Sequence, residues 1–240
     1  MVWLRATLAA IGTVGMIGAA NAATELVTNG DFELTTNGSG QLGYNTQATG
    51  WAASGYNFLF APGVADSTGT TGVDGNLKLW GPGDGSANGL TSSPSGGNYI
   101  AADGAYEVGA ITQSISGLTI GQSYTLTFEW AGAQQYNFTS PTTEQWEVSL
   151  GGETFTTPVA DDVNHGFTGW MNQSFTYTAT ATTELLSFLA IGTPSGEPPF
   201  SLLDGVSLQA TPVPEPSSLI LIIGCAAMAG VRHLKSRQRR

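Results

Sequence analysis

Basic residues are almost missing from the central part of this 240-residue chain. All but one of its 18 acidic residues lie between positions 23 and 212, whereas Lys78 is the only one of its seven basic residues in that range. The central part therefore has a formal charge of about −16 at neutral pH, and such a surface repels nucleic acid and anionic polymers unless cations bridge them. The charge argues against a nucleic-acid partner and suits calcium-rich or neutral-glycan surroundings.

Cysteine is equally scarce. The one cysteine, Cys225, lies in an apolar run near the C-terminus, so residues 23–212 have no thiol and no disulfide. We interpret Cys225 as a small apolar residue of a membrane helix. The stability of the central part must then come from its core and from any bound ions.

Catalytic signatures are absent too. The chain contains no G-x-S-x-G motif, P-loop or dinucleotide-binding fingerprint, and nothing singles out one pair of its many carboxylates as a glycosidase pair. His165, beside Asp161 and Asp162, is the only histidine outside the C-terminal tail, and we interpret it as part of a solvated turn rather than a metal site or an acid–base pair. We predict a protein that is not an enzyme.

Residues 1–22 have the three parts of a secretory signal peptide. Arg5 precedes an apolar stretch over residues 6–20, and the small residues Ala20 and Ala22 flank Asn21 in the pattern of a cleavage site. Residues 23–212 then remain as the exported domain. Their number suffices for one all-β domain with a sizeable core.

Residues 213–240 combine a proline-rich break, a short apolar run over residues 219–231 and a basic tail over residues 232–240. At 1.5 Å per residue the run covers roughly 20 Å of a hydrocarbon core of about 30 Å, so it predicts a marginal or temporary membrane helix. The basic tail favours a cytoplasmic end for that helix. The break consists of Val213, Pro214, Glu215 and Pro216, followed by two serines.

This order of parts resembles the PEP-CTERM sorting signal of Gram-negative bacteria that make exopolysaccharide. The resemblance implies recognition of residues 213–218 by a membrane-embedded exosortase, removal of the tail, and release or attachment of the rest outside the cell. The expected localisation is an inner-membrane intermediate, followed by the cell surface or the extracellular matrix. The alternative is an ordinary C-terminal membrane anchor preceded by a chance Pro-Glu-Pro.

Strand periodicity dominates residues 23–212. In residues 122–131, Tyr124, Leu126, Phe128 and Trp130 fall on one face and polar residues on the other, and residues 146–150 repeat this pattern. Turn residues such as Asn-Gly pairs separate the runs at short intervals, so we predict an antiparallel β-sandwich. Further strands are predicted over residues 25–28, 56–60, 77–80, 98–102, 110–115, 154–156, 173–179, 183–191 and 200–208.

One of these strands and one loop carry further expectations. Residues 183–191 are apolar enough that we expect the strand to be covered on both faces. Residues 81–97 are so rich in glycine and serine that we expect a mobile surface loop.

Three stretches resemble galactose-binding-like jelly rolls, the fold of many carbohydrate-binding modules. Residues 26–33, which contain Asn-Gly-Asp-Phe-Glu, look like the first strand, residues 203–208 look like the last, and residues 121–128 fit a G-x-x-Y-x-L-x-F strand. The resemblance implies a jelly-roll sandwich with extracellular polysaccharide as its partner.

Asp204 is the most informative carboxylate, because strand parity places it toward the core and an unpaired buried carboxylate is too costly to keep. Backbone donors, Lys78 or a metal must therefore satisfy it. In the jelly rolls that the chain resembles, an acid of the closing strand and the Glu of the opening stretch help to bind a structural Ca²⁺. Carried over, this implies calcium at Asp204 and Glu33, although Gly205 stands where many relatives have a second Asp. The alternative is that both carboxylates accept backbone N–H bonds.

Three tryptophans of the exported domain, Trp51, Trp80 and Trp170, lie beside glycine-rich turns. Exposed aromatic rings can stack on a sugar, so these three are candidate ligand-binding residues, although packing is favoured for them as well. We predict an exported, non-catalytic protein of the cell envelope or exopolysaccharide matrix that binds carbohydrate. The alternatives are a structural surface or biofilm protein without a sugar site and, with least support, a matrix hydrolase.

Overall fold

Alternating apolar and polar residues build the long strands. In the computed structural model, which describes residues 24–212, strand Thr142–Leu150 buries every second residue and Ser123–Gln134 does the same up to Trp130. Successive side chains of a strand point to opposite sides of its sheet, so each of these strands presents an apolar face to a core. The strands are β1 (Gly40–Gln41), β2 (Ala52–Ala53), β3 (Asn57–Phe60), β4 (Thr70–Gly72), β5 (Gly75–Leu77), β6 (Tyr99–Asp103), β7 (Ile111–Ser116), β8 (Ser123–Gln134), β9 (Thr142–Leu150), β10 (Glu153–Thr156), β11 (Ala160–Asp162), β12 (Met171–Thr178), β13 (Thr183–Thr193) and β14 (Pro199–Ala210).

The strands form two antiparallel sheets and a small hairpin. The first sheet has the order β1-β3-β6-β14-β8-β12, and the second has the order β10-β9-β13-β7-β2 with β11 also paired to β9. From β6 to β9, and again from β12 to β14, the chain alternates between the two sheets, as in a jelly roll. The antiparallel jelly-roll sandwich predicted from the sequence is therefore confirmed.

The main core fills the space between the sheets and centres on Phe188 of β13. Its ring meets Phe128 edge-on at 5.1 Å between centroids and Trp146 at 5.9 Å, while Trp51 lies at 6.2 Å. The indole N–H of Trp146 donates to the carbonyl of Leu202 across the sandwich at 3.0 Å. Aromatic packing and this hydrogen bond fix the spacing of the two sheets.

A second core lies on the outer face of the first sheet. There Phe58, Tyr99 and Phe200 are buried under residues 61–98, which we name the covering segment. This segment contains the β4–β5 hairpin and a 3₁₀ helix over Pro82–Asp84. The segment buries this face over β3, β6 and the adjoining halves of β8 and β14, whereas the outward side chains of β12 and of the start of β8, such as Ser174 and Thr127, stay exposed.

The covering segment corrects the prediction of a mobile loop over residues 81–97. The side-chain amide of Asn88 donates to the carbonyls of Trp80 at 2.8 Å and His165 at 3.0 Å, and the hydroxyl of Ser93 donates to the carboxylate of Asp204. Abundant glycine and serine predicted mobility here, but specific side-chain hydrogen bonds hold both halves of the loop.

Three expectations for the strands are also wrong. Of residues 77–80 only Leu77 lies in a strand, as the last residue of β5, and Leu79 forms an isolated bridge to Gln135. Residues 25–28 form no strand, because the N–H of Leu26 bonds to Leu208 of the first sheet and that of Thr28 to the side chain of Gln113 in the second. Strand β13 is buried on one face only, and Leu185 on its other face is 54% exposed. The apolar residues of its outer face reflect composition and not a second covering layer.

The predicted signal peptide (residues 1–22), the sorting motif at Val213, Pro214, Glu215 and Pro216, and the predicted helix over residues 219–231 lie outside the described residues. Within residues 24–212, no helix has the length and apolar character that crossing a membrane requires.

Candidate functional site

A pocket of about 280 Å³ opens at one end of the first sheet, just below the roughly 300 Å³ at which typical ligand pockets begin. Four strands converge there, because β3 and β14 begin where β6 and β8 end. We name it the tyrosine pocket. Its lining residues are Tyr56, Asp103, Ala105, Tyr106, Gln135, Phe138, Ser195, Gly196 and Pro198.

Two tyrosines form the aromatic wall of the tyrosine pocket. Tyr56 is buried and held edge-on by Phe58 at 4.6 Å, whereas Tyr106 is 49% exposed and meets Tyr56 edge-on at 5.2 Å. Burial, followed by the charge of Asp74, raises the pKa of Tyr56 to about 12, and the charge of Glu107 raises the pKa of Tyr106. Both hydroxyls therefore stay protonated and can donate hydrogen bonds to a ligand at physiological pH.

Asp103 supplies the acidic group of the tyrosine pocket. It ends β6, and its Oδ1 accepts the backbone N–H groups of Ala105 at 2.8 Å and Tyr106 at 3.0 Å. These bonds fix the loop that carries Tyr106. Its Oδ2 is buried with no hydrogen-bond partner. Burial raises the pKa of Asp103 to about 6 against the opposing effect of the two N–H groups, so at pH 7 the carboxylate is mainly ionised.

The tyrosine pocket thus combines exposed aromatic surface, two phenol donors and one carboxylate acceptor. The rim adds the side chains of Gln135 and Ser195. Apolar ring faces together with a few oriented polar groups match a sugar, which has C–H faces and hydroxyl edges.

The three tryptophans predicted as ligand-binding residues lie elsewhere. Trp51 is only 4% exposed within the main core and donates its indole N–H to the carbonyl of Asn29 at 3.0 Å, so its ring has no free face for a sugar. The prediction for Trp51 is corrected on that ground. A tryptophan beside glycine-rich turns looks exposed in the sequence, but the turns here fold over it.

Trp80 and Trp170 are partly exposed and attach the covering segment to the sandwich. Trp80 packs against the His165 ring at 3.8 Å between centroids and donates to the carbonyl of Phe138 at 2.7 Å. Trp170 donates to the carbonyl of Thr91 at 3.2 Å. Sugar stacking on either ring stays a prediction. The ring of His165 is held by Trp80 rather than solvated in a turn.

Glu33 and Asp204, the residues implied for calcium, both contact the loop over residues 93–98. Glu33 accepts the N–H of Asn98. Asp204 is fully buried and accepts the N–H of Gly205 at 2.7 Å and the hydroxyl of Ser93, so both of its oxygens have partners. The inward position expected for Asp204 is confirmed, and the hydrogen bonds match the alternative in which protein donors satisfy both carboxylates.

The surroundings of Asp204 still suit a cation in one respect. Burial raises the pKa of Asp204 to about 7, and the negative charges of Glu129 and Asp31 add to this shift. The hydrogen bonds from Ser93 and Gly205 oppose it. However, residues 24–212 contain no group of three or more His, Cys, Asp or Glu side chains placed to hold a metal ion. A calcium ion at Glu33 and Asp204 would need backbone carbonyls and water as further ligands.

The residues of the tyrosine pocket escaped the sequence-based predictions. They come from parts of the chain that only the sheet topology brings together. One signal was present: Asp103 follows the apolar run of β6 and precedes Gly104, and a polar residue at a strand end often belongs to a site.

Comparison with known proteins gives a likeness to carbohydrate-binding modules. No protein-family model matches the sequence, and no curated protein is significantly similar to it. Similar solved structures include TmCBM61 in complex with beta-1,4-galactotriose, with 13% identity, a TM-score of 0.45, and 79% of this chain and 100% of that chain covered. Another is the CBM22-1 xylan-binding domain from Paenibacillus barcinonensis Xyn10C, with 12% identity, a TM-score of 0.40, and 82% and 100% covered.

A third is the N-terminal cellulose-binding domain of a Cellulomonas fimi beta-1,4-glucanase, with 18% identity, a TM-score of 0.34, and 69% and 91% covered. Superpositions at this level neither define a family for this chain nor transfer a ligand to it. The fold follows from the strand order, and the site from its own side chains.

Proposed function

We propose that residues 24–212 bind a neutral polysaccharide without catalysis, and that they do so through the tyrosine pocket. The observation that supports this proposal is the pairing of half-exposed Tyr106 with the unpartnered Oδ2 of Asp103 in one concave site. A ring face and a hydroxyl acceptor side by side are what a sugar requires. The excess of acidic residues disfavours anionic polymers.

The binding experiment uses the full chain purified in mild detergent. Retention on the exopolysaccharide of the producing bacterium, and on neutral glycans, is measured by affinity electrophoresis. We expect Tyr106→Ala to lower affinity about two- to tenfold, since one lost aromatic stacking contact is worth roughly 0.5–1.5 kcal/mol. Tyr44→Ala, which removes another exposed tyrosine outside the tyrosine pocket, is the matched control.

The outcomes separate the alternatives. Equal retention of the Tyr106→Ala and wild-type proteins would refute polysaccharide binding at the tyrosine pocket. If Trp80→Ala or Trp170→Ala lowers retention instead, the binding site lies at those rings. Retention by no polysaccharide would favour a structural surface or biofilm protein. Turnover of the matrix that one carboxylate substitution abolishes would indicate a hydrolase.

The place of action that we propose is the cell envelope or exopolysaccharide matrix of a Gram-negative bacterium. Its support is the order of the signal peptide, the Pro-Glu-Pro break, the apolar run and the basic tail. An exosortase would cut near residues 213–218, so mass spectrometry of the extracellular protein should find no peptide from residues 232–240. Surface-located protein with that tail intact would favour the alternative of an ordinary C-terminal membrane anchor.

Calcium at Glu33 and Asp204 also stays a proposal. The two carboxylates contact one loop, and a cation between them would hold the start of the domain to β14. We expect millimolar calcium to raise the melting temperature and a chelator to lower it, with a smaller calcium effect in Asp204→Ala. The same calcium effect in that variant would exclude this site.

A further inference from the structure

The space between the sheets turns polar beyond Trp146, at the same end of the molecule as the tyrosine pocket. Glu144 and Thr142 continue the inward-facing side of β9, and Asp162 of β11 lies beside them. The exposed fractions of Glu144, Thr142 and Asp162 are 0%, 2% and 3%. We name these three residues the buried oxygen cluster.

The register of β9 and β11 brings the three side chains together. Asp162 is the direct cross-strand partner of Thr142, and Glu144 lies two residues along the same face, opposite Ala160. Diagonal neighbours of this kind have Cα atoms roughly 7–8 Å apart, which long side chains bridge. The two carboxylates and one hydroxyl therefore point into one small volume.

Protein donors do not satisfy the cluster. Both carboxylate oxygens of Glu144, Oδ2 of Asp162 and the hydroxyl oxygen of Thr142 are buried without a hydrogen bond of normal geometry, although the Thr142 hydroxyl lies near enough to Glu144 to lower its pKa slightly against the effect of burial. Lys78, the only lysine or arginine in residues 24–212, is paired with Asp84 at 3.6 Å. Buried polar atoms are nearly always partnered, so carboxylate oxygens without a donor in one place require either a cation or protons on the carboxyl groups.

Two glycines leave room for the carboxylates. A Cβ atom at Gly132 would lie 2.5 Å from Oε2 of Glu144, and one at Gly166 would clash with Oδ1 of Asp162. Any larger residue at either position would displace a carboxylate. The backbone on both sides of the cluster is thus shaped around these oxygens.

Two arrangements can stabilise the buried carboxyl groups, namely protonation or a bound counter-ion. Burial raises the pKa of Glu144 to about 8 and that of Asp162 to about 7, so without a counter-ion the pair holds protons near neutral pH. A bound divalent cation would instead balance two ionised carboxylates and coordinate the orphan oxygens.

We propose that Glu144, Asp162 and Thr142 bind one calcium ion between the two sheets, at a site separate from Glu33 and Asp204. All the available ligands are oxygens, which suit a hard cation. Calcium accepts irregular oxygen shells, whereas Mg²⁺ demands near-octahedral geometry and keeps several waters for which a buried site has little space. The ion would cross-link β9 and β11 and fill the polar end of the sandwich.

The test counts bound calcium in the full chain purified in mild detergent. Protein stripped with a chelator is titrated with calcium by calorimetry, and retained metal is measured by mass spectrometry after dialysis. We expect Glu144→Gln to lose one equivalent relative to the wild type. Glu147→Gln, the same change on the outer face of β9, and Asp204→Asn, at the other proposed calcium site, should both keep that equivalent.

Thr142→Val keeps both carboxylates and serves as a second variant if Glu144→Gln fails to fold. It should lower calcium affinity about tenfold or more while the protein still folds. Stripped wild-type protein that binds no calcium, or an equivalent that survives in both Glu144→Gln and Thr142→Val, would overturn the proposal and leave the buried oxygen cluster as a protonated pair. Equal affinity for magnesium would overturn the assignment to calcium.

Discussion

At the scale of single residues, Gly205 shows a local constraint most clearly. It lies in a β-bulge of β14 with φ of 58°, and a Cβ atom there would come within 2.7 Å of the Ser95 hydroxyl oxygen. For a residue with a side chain, this left-handed conformation costs about 1–2 kcal/mol. We expect Gly205→Ala to lower the free energy of unfolding by that amount or slightly more, as measured by urea denaturation.

Gly121 is the matched control for this substitution. It has φ of 81°, but a Cβ atom added there would have no neighbouring atom within 4 Å, so Gly121→Ala reports the backbone conformation alone. A smaller loss for Gly205→Ala than for Gly121→Ala would contradict the close approach to Ser95. The same geometry gives a physical reason for glycine at the position where an aspartate was expected by resemblance: the bulge requires positive φ.

At the scale of elements, the covering segment depends on Asn88. Its amide donates to three carbonyls, of Trp80, His165 and Gly166, and its Oδ1 accepts the N–H of Leu90 at 3.0 Å. Asn88→Ala leaves these buried or half-buried groups without partners, at about 1–3 kcal/mol. We expect faster amide hydrogen exchange over residues 81–98 and little change in the main core.

The exposed Asn76 of β5 provides the control for that experiment. Asn76→Ala should leave exchange over residues 81–98 unchanged. If Asn88→Ala also leaves it unchanged, the contacts of Asn88 do not hold the segment.

The elements also show where sequence patterns suffice. Strong alternation predicted β8 and β9 within a few residues, since one face of each is buried in the main core. Strands of two or three residues such as β1 and β11 carry no period, so only their tertiary partners define them. The covering segment was missed for the same reason, because its glycine-rich sequence encodes hydrogen bonds rather than a periodic apolar face.

At the scale of the whole molecule, the candidate site depends on topology more than on motif. Tyr56 and Tyr106 are 50 positions apart, and Gln135 and Ser195 come from still later parts of the chain. The sequence predicted the inward position of Asp204 from strand parity alone, whereas the meeting of these four residues required the order of strands in the first sheet. The residue types can be read from the sequence, but their proximity in the fold cannot.

Stability should depend on pH through Asp103. Its folded-state pKa of about 6 lies above its ordinary value of 3.8, so the folded protein binds more protons than the unfolded chain between these values. The free energy of unfolding therefore falls as pH rises through this window, by up to about 3 kcal/mol at 1.36 kcal/mol per pKa unit. Urea denaturation at about pH 4.5 and about pH 7 measures the change.

Asp103→Asn isolates this contribution from those of other carboxyl groups. We expect the difference in unfolding free energy between variant and wild type to change with pH in the same window, with the wild type relatively more stable at the acidic end. Parallel pH profiles for the two proteins would show that Asp103 titrates alike in the folded and unfolded states.

Strand β14 separates the tyrosine pocket from both chain termini of the domain by its own length. It starts beside the tyrosine pocket at Pro199 and ends at Ala210, next to the last described residues, and its 12 residues span about 36–40 Å. Leu26 bonds to Leu208 near the far end, so both ends of the domain leave at the pole opposite the pocket. A support attached through either end would therefore present the tyrosine pocket outward, which gives β14 the geometry of a built-in spacer.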